Sequence, residues 1–227
     1  MQSKQILAIT LLICTALLGL FVFYFQEQYL LFSILFIFLM MMPFFLRFER
    51  RKLQAKELVL IAMLAAIAAV SRVPFAALPS VQPTTFVIII SALVFGAETG
   101  FLIGAAAALV SNQFLGQGPW TPWQMFCWGM IGFTAGVLKD SWWMRQKWGI
   151  ALFGILCGFL FGWVMNLSVL GFLAEISLGA WLTSISTSFL FDLAHAVSNV
   201  VFLLLFGASW MKILGRYKRK YGLLEGK

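Results

Sequence analysis

Long apolar runs separated by short polar segments cover almost the whole chain. There are eight such runs, and most are close to the length of about 20 residues that a helix needs to cross the hydrocarbon core of a bilayer. The fourth run is short and the eighth is long. The pattern predicts an all-α, polytopic membrane protein with spans at residues 6–25, 29–46, 57–75, 85–95, 99–115, 120–138, 148–173 and 180–214.

The stretch 57–112 is the predicted centre of this arrangement. Its first span carries two overlapping small-residue repeats, at Ala62 and Ala66 and at Ala65 and Ala69, which allow another backbone to approach closely. The segment 72–85 contains three prolines and cannot form a regular helix. We therefore expect a span, a loop that acts as a gate, a short span, a tight turn at 96–100, and another span.

The composition of the chain is that of a membrane protein, and the chain is predicted to have two parts. The chain is 62% hydrophobic and 11% charged, and its mean hydropathy is +0.97, values far from those of a soluble domain. The run 6–25 is too long for a signal peptide and lacks a cleavage site, so we expect it to be a true span. Residues 1–56 are predicted to add two lipid-facing spans and a basic linker to a six-helix core at 57–227.

The basic residues behind the net charge of +8 lie mainly in the connections between spans. They therefore indicate the orientation of the protein in the membrane and not a nucleic-acid partner. If the amino terminus is cytoplasmic, all but one of the 16 Lys and Arg residues fall on the cytoplasmic side. The sequence thus predicts a multi-pass protein of a bacterial-type cytoplasmic membrane with both termini in the cytoplasm. The exception, Arg72, lies at the outer end of the third span, where a lone cation suggests a functional role.

Polar and aromatic side chains converge on the predicted outer side. Ser188, Asp192, His195 and Asn199 fall within about 60° of one another on one helix face. They could form the floor of an outward-facing solute pocket, or Asp192 and His195 could pair as a link between helices; a proton relay and a metal site are weaker possibilities. The candidate substrate-binding residues are Arg72, Gln82, Thr85, Asn112, Gln113, Trp120, Trp123, Gln124, Asn166, Asp192, His195 and Asn199.

Other residues have simpler explanations. Each Trp near an outer span end fits an interfacial belt, although together they could wall a pocket for a flat solute. The glycines at four-residue spacing predict helix-packing seams. The cysteines lie inside spans without ligand spacing, and one His with one Asp is a weak metal signal, so we expect no metal site. The residues concerned are Trp120, Trp123, Trp128, Trp163, Trp181, Gly96, Gly100, Gly104, Gly132, Gly136, Gly158, Gly162, Cys14, Cys127 and Cys157.

Several of these features together resemble a known family. The alanine repeats, the Pro-rich outer loop, the sequence FGAETG at 95–100 and the glycine-rich helix after it are similar to the substrate-binding S components of energy-coupling factor (ECF) vitamin transporters. The similarity covers 57–219, and the first two spans are not part of the usual six-helix pattern. The resemblance implies a vitamin-capture subunit of an ABC-type importer that is not an enzyme and has no intrinsic cofactor.

The resemblance also implies partners and sites. Such a subunit docks on a transmembrane coupling protein that works with two cytoplasmic ATPases, and the positions matching the docking motif are Ala62, Ala65, Ala66 and Ala69. The loop 72–85 matches the gate. No phosphate-binding G-x-x-x-x-G-K-[ST] signature occurs in the sequence, so ATP energy is expected to come from the partners.

The ligand and two other functional classes stay open. The sequences VQPTTF at 81–86 and SNQFLGQGPWTPWQ at 111–124 look most like the cobalamin-specific branch, and a corrin edged with amides suits amide, hydroxyl and aromatic partners. These residues do not exclude another vitamin or a queuosine precursor, and the absence of a nucleotide-binding signature also fits a secondary permease. A membrane-embedded enzyme using Asp192 and His195 as an acid/base pair is least favoured, since no nucleophile motif accompanies them.

Overall fold

The computed structural model describes residues 13, 28–50, 54–170, 172 and 176–223. Within these residues the protein is helical and contains no strand. The predicted span 6–25 lies outside the described residues apart from Ile13, whereas each of the other seven predicted spans corresponds to a helix. These are α1 (Tyr29–Glu49), α2 (Ala55–Val70), followed by a 3-10 turn (Val73–Phe75), α3 (Thr84–Phe95), α4 (Ala97–Leu115), α5 (Thr121–Leu138), α6 (Lys147–Leu170) and α7 (Leu178–Tyr221).

The lengths and burial of these helices confirm a polytopic membrane protein. Four described segments are long and apolar enough to cross a bilayer: α1, Ala55–Phe75, α6 and α7. The 12-residue helix α3 is too short for this, but ten of its residues are buried between α2, α4, α5 and α7. A helix that is enclosed by protein does not have to match the bilayer thickness, which explains the short fourth run in the sequence.

Glycine allows a close contact between the backbones of α4 and α5. A Cβ atom on Gly104 would collide with the backbone of Trp128, and one on Gly132 would collide with the backbone of Gly100. The predicted glycine seams are confirmed for this pair of helices. The turn from α3 to α4 consists of the single residue Gly96, whose φ of 96° is unfavourable for other residues.

Helix α7 is one continuous helix of 44 residues. At 1.5 Å per residue it is about 66 Å long, roughly twice the hydrocarbon thickness, so it extends beyond the bilayer. Near its end Lys218 Nζ donates to the Val94 carbonyl at 2.8 Å, and Lys56 Nζ donates to the Tyr221 carbonyl at 2.6 Å. These bonds hold the ends of α3 and α7 and the start of α2 together. We call this end of the bundle the basic end. The opposite end, with the loops 71–83 and 116–120, is the polar end.

Helix α1 is attached to the core along one side. Phe44 stacks on Phe101 of α4 with ring centroids 4.1 Å apart, and Arg47 forms an ion pair with Glu98. At the polar end, Tyr29 Oη donates to the Leu167 carbonyl of α6 at 2.8 Å. Helix α1 is thus added to one side of the core, with its buried side held by polar as well as apolar contacts and its other side exposed.

Candidate functional site

Arg72 is buried at the polar end, directly after α2, with 7% of its surface exposed. Its Nη1 donates to Ser111 Oγ at 2.5 Å and to Asn112 Oδ1 at 3.1 Å. The guanidinium carbon lies 4.8 Å from the centre of the Trp128 ring. Within the described part of the chain no carboxylate forms an ion pair with Arg72, so neutral groups and a π face hold this cation.

Asn112 continues the network from α4 to α5. Its Nδ2 donates to Thr121 Oγ1 at 3.0 Å and to Gln124 Oε1 at 2.7 Å. Asn112 is 2% exposed, and Thr121 is also buried. The side chain of Gln124 is thereby fixed in position by a residue that is itself bound to Arg72.

A second network joins three helices through Thr85, the second residue of α3. Trp128 Nε1 of α5 donates to Thr85 Oγ1 at 3.1 Å, and the same oxygen lies 2.8 Å from His195 Nε2 of α7. Phe161 of α6 packs edge-on against the His195 ring, with centroids 5.1 Å apart. Thr85 and Trp128 are fully buried and His195 is 5% exposed, so these contacts fix the imidazole within the bundle.

Asp192 has its own partners one turn away. Asn166 Nδ2 of α6 donates to Ser188 Oγ at 2.8 Å, and Ser188 Oγ donates to Asp192 Oδ2 at 3.1 Å. The other carboxylate oxygen lies directly against Gly162, where a Cβ atom would overlap it. Among the described residues Asp192 and His195 are not hydrogen-bonded to each other, so the interpretation of a direct pair between them is wrong.

The two networks border a cavity of about 220 Å³ at the polar end. Five of the predicted site residues line it: Gln82, Gln124, Asn166, Asp192 and His195. The sequence did not single out the remaining lining residues as ligand contacts, since apolar and small residues carry no signal of their position. These are Ser80, Phe161, Gly162, Met165 and Phe191.

A second cavity of about 430 Å³ adjoins the first and shares Met165 and Asn166 with it. Its other lining residues include Trp120, which the sequence predicted for the site, and Phe172. Trp120 is 40% exposed, so this part of the lining lies at the protein surface. Arg72, Asn112 and Thr85 lie behind the cavities and hold the lining residues in place.

Apart from Arg72, Asn112 and Thr85, three predicted site residues line neither cavity. Trp123 is buried in an apolar cluster with Phe44 and Phe101. Asn199 is fully buried and its Nδ2 donates to the Gly154 carbonyl of α6 at 2.9 Å, so it joins two helices. Gln113 is exposed. The rotation of each helix turns these three side chains away from the two cavities, so a role for them in substrate binding stays a prediction.

The alanine repeats of α2 face in two directions. Ala62 and Ala66 are exposed, whereas Ala65 and Ala69 are buried. The two repeats begin three residues apart, so they lie about 60° apart around the helix. One repeat therefore faces the core and the other faces outwards. Ala65 and Ala69 are covered by the other helices of the bundle, among which α4 is the main neighbour of α2. The expectation that these two residues belong to a docking surface is therefore corrected.

Comparison with known proteins agrees with this architecture. The family model described as "ECF-type riboflavin transporter, S component" matches residues 52–216, which is most of the chain. No curated protein and no solved structure is significantly similar to the chain. The family is one of transporter subunits and not of enzymes, and it implies association with ECF transmembrane and ATPase components. The chain is thus a multi-pass membrane protein that belongs to the ECF-type riboflavin transporter S-component family.

Proposed function

We propose that this chain captures a vitamin in the cavity at its polar end and passes it to an ECF transporter. The observation that carries the proposal is the lining of the cavity. Amide, carboxylate and imidazole groups from the loop before α3 and from α5, α6 and α7 meet there, next to Phe161 and Phe191. Apolar walls with a few fixed polar groups are typical of small-molecule sites.

A flat heteroaromatic vitamin of the size of riboflavin is the ligand that the cavity supports best. Riboflavin is the substrate in the description of the matching family. A volume of about 220 Å³ is slightly below the usual range of about 300 to 1,000 Å³ for ligand pockets. The cavity would have to widen only slightly to accept a planar ring system, and a movement of the flexible Met165 side chain would widen it.

Cobalamin is the second candidate, and the adjoining cavity favours it. A corrinoid is much larger than the first cavity, but the two cavities share Met165 and Asn166 and would form one larger site if these side chains moved. Coordination of cobalt by His195 Nε2 is not part of this proposal, because that nitrogen already bonds Thr85. The similarity of 81–86 and 111–124 to the cobalamin-specific branch is the other support.

Delivery requires an orientation and a surface for the partner. We place the polar end outside and the basic end, with both termini, in the cytoplasm, in line with the positive-inside rule. The exposed face of α2, with Ala62, Ala66 and the apolar Met63 and Ile67, would dock on the transmembrane coupling protein. Two ATPases on the cytoplasmic side would supply the energy, which distinguishes this proposal from a secondary permease.

The visible absorption spectrum of the purified protein tests the ligand. After incubation with riboflavin or cobalamin and removal of free ligand, we expect one of these coloured vitamins to remain in stoichiometric amount. Gln124→Leu should weaken binding at least about tenfold, since it removes a lining amide. Gln113→Leu is the matched control outside the cavities and should bind normally. Failure of the folded protein to retain any vitamin would overturn the proposal.

A further inference from the structure

The hydrogen bonds that border the cavity leave a specific set of donors and acceptors facing the ligand. From this set we infer that the cavity recognises an amide or imide edge, a carbonyl next to an N–H group, on the vitamin. The inference rests on the proposed capture of a vitamin and specifies which part of the ligand is read. It applies equally to the imide of a flavin ring and to the carboxamides at the edge of a corrin.

The donor side begins with His195. Thr85 Oγ1 is fully buried and has two partners, Trp128 Nε1 and His195 Nε2. Trp128 can only donate, so the hydroxyl hydrogen of Thr85 finds an acceptor only if it is given to His195 Nε2. The neutral imidazole then carries its hydrogen on Nδ1, and His195 offers an N–H donor to the cavity that it lines.

Gln124 adds a second donor by the same reasoning. Its Oε1 accepts from Asn112 Nδ2 at 2.7 Å, so the oxygen is occupied from behind the cavity. The amide nitrogen of Gln124 has no partner among the described residues, and Gln124 lines the cavity. Two N–H donors, one on α5 and one on α7, are therefore available for a carbonyl oxygen of the ligand.

The acceptor side is formed by Asn166 and Asp192. Asn166 donates through Nδ2 to Ser188 Oγ, and the Ser188 hydroxyl donates to Asp192 Oδ2 at 3.1 Å or to the Ile185 carbonyl at 3.2 Å. In either case Ser188 occupies the nitrogen of Asn166 and not its oxygen. Asn166 Oδ1 and Asp192 Oδ1 receive no hydrogen bond from the described residues. Gly162 has no side chain to cover Asp192 Oδ1. Both residues line the cavity and offer acceptors for an N–H group.

This arrangement selects by chemical type. An amide or imide edge satisfies both sides, since its carbonyl accepts from His195 or Gln124 while its N–H donates to Asp192 or Asn166. An N-methylated imide lacks the donor, and an ionised carboxylate in its place brings only acceptors to Asp192 and Asn166. Either ligand leaves a buried acceptor unpaired, which is a strong basis for discrimination.

The test compares each vitamin with a form in which this edge is blocked. Equilibrium binding to the detergent-solubilised full chain is measured for riboflavin against N3-methylriboflavin, and for cobalamin against a corrinoid whose side-chain amides have been hydrolysed to acids. We expect the blocked form of the true ligand to bind at least about tenfold more weakly. Whichever unmodified vitamin binds, riboflavin or cobalamin, is identified as the molecule that supplies the amide or imide edge.

Variants assign the effect to Asp192. Asp192→Asn replaces an acceptor by an amide and should remove most of the preference for the parent ligand, whereas Asp140→Asn, the same change at the exposed basic end, should preserve it. Asn166→Leu is the alternative if Asp192→Asn does not fold, and it should also reduce the preference. Equal affinities for parent and blocked ligands in the unmodified protein would overturn the inference but leave vitamin capture intact. Binding of neither parent vitamin by folded protein would overturn both.

Discussion

Thr85 Oγ1 and His195 Nε2 lie 2.8 Å apart, although 110 residues separate them in the sequence. Thr85 is at the start of the buried helix α3, and His195 is at the middle of the long helix α7. Because Thr85 also accepts a hydrogen bond from Trp128, one hydroxyl connects α3, α5 and α7 immediately behind the cavity. The stability of the bundle and the position of a ligand-binding group thus depend on the same contact.

Replacing Thr85 by Val tests this contact. The shape is retained, but the Trp128 N–H and the His195 nitrogen lose a buried partner, which should lower the free energy of unfolding by about 1 to 3 kcal/mol. Thermal unfolding in detergent measures the effect, and vitamin affinity should fall in parallel. Thr183→Val is the control, since Thr183 is exposed and bonds only its own helix backbone. Equal melting temperatures for the two variants would contradict the assigned role.

Gly104→Ala tests the contact between α4 and α5. The new methyl group would meet the Trp128 backbone, and separating the two helices should destabilise the protein by about 1 to 3 kcal/mol. Gly215→Ala is a matched change on α7, where the nearest atom lies 3.7 Å away at the end of the Arg219 side chain. That variant should unfold at or above the temperature of the unmodified protein, so a similar loss in both would show that the seam is not the cause.

Ala66→Leu and Ala69→Leu should separate docking from folding. Ala66 is exposed, so the larger side chain should leave vitamin binding and thermal stability intact while abolishing uptake by the assembled transporter. Ala69 is fully buried, so its replacement should overpack the core and reduce stability, binding and uptake together. Normal transport by Ala66→Leu in reconstituted vesicles would remove this face of α2 from the docking surface.

Asn199→Ala tests the assignment of Asn199 as a link between helices. Loss of the bond to the Gly154 carbonyl should cost about 0.5 to 1.5 kcal/mol of stability. Vitamin affinity, measured well below the melting temperature, should be unchanged because Asn199 does not line the cavity. Asn166→Ala is the matched change at a lining residue and should weaken binding. A comparable loss of affinity in Asn199→Ala would return this residue to the site.

The sequence predicted much of this architecture because the properties concerned are local. Apolar length predicts helices, the prolines of 72–85 and the glycine at 96 end them, and the polar stripe on α7 needs only helix periodicity. Ser188, Asp192, His195 and Asn199 do face inwards. The sequence predicts Gln82, Gln124, Asn166, Asp192 and His195 as site residues, and all five line the cavity.

Tertiary packing decided what these side chains do. Asp192 and His195 are three residues apart, yet Asp192 bonds Ser188 and His195 bonds Thr85. Whether an inward side chain reaches a cavity or a neighbouring backbone depends on how each helix is rotated against the others. Asn199 and Asn166 differ in this respect, as do Ala65 and Ala66. The rotation is set by contacts between residues far apart in the chain, such as the glycine contacts of α4 with α5, and no local pattern contains that information.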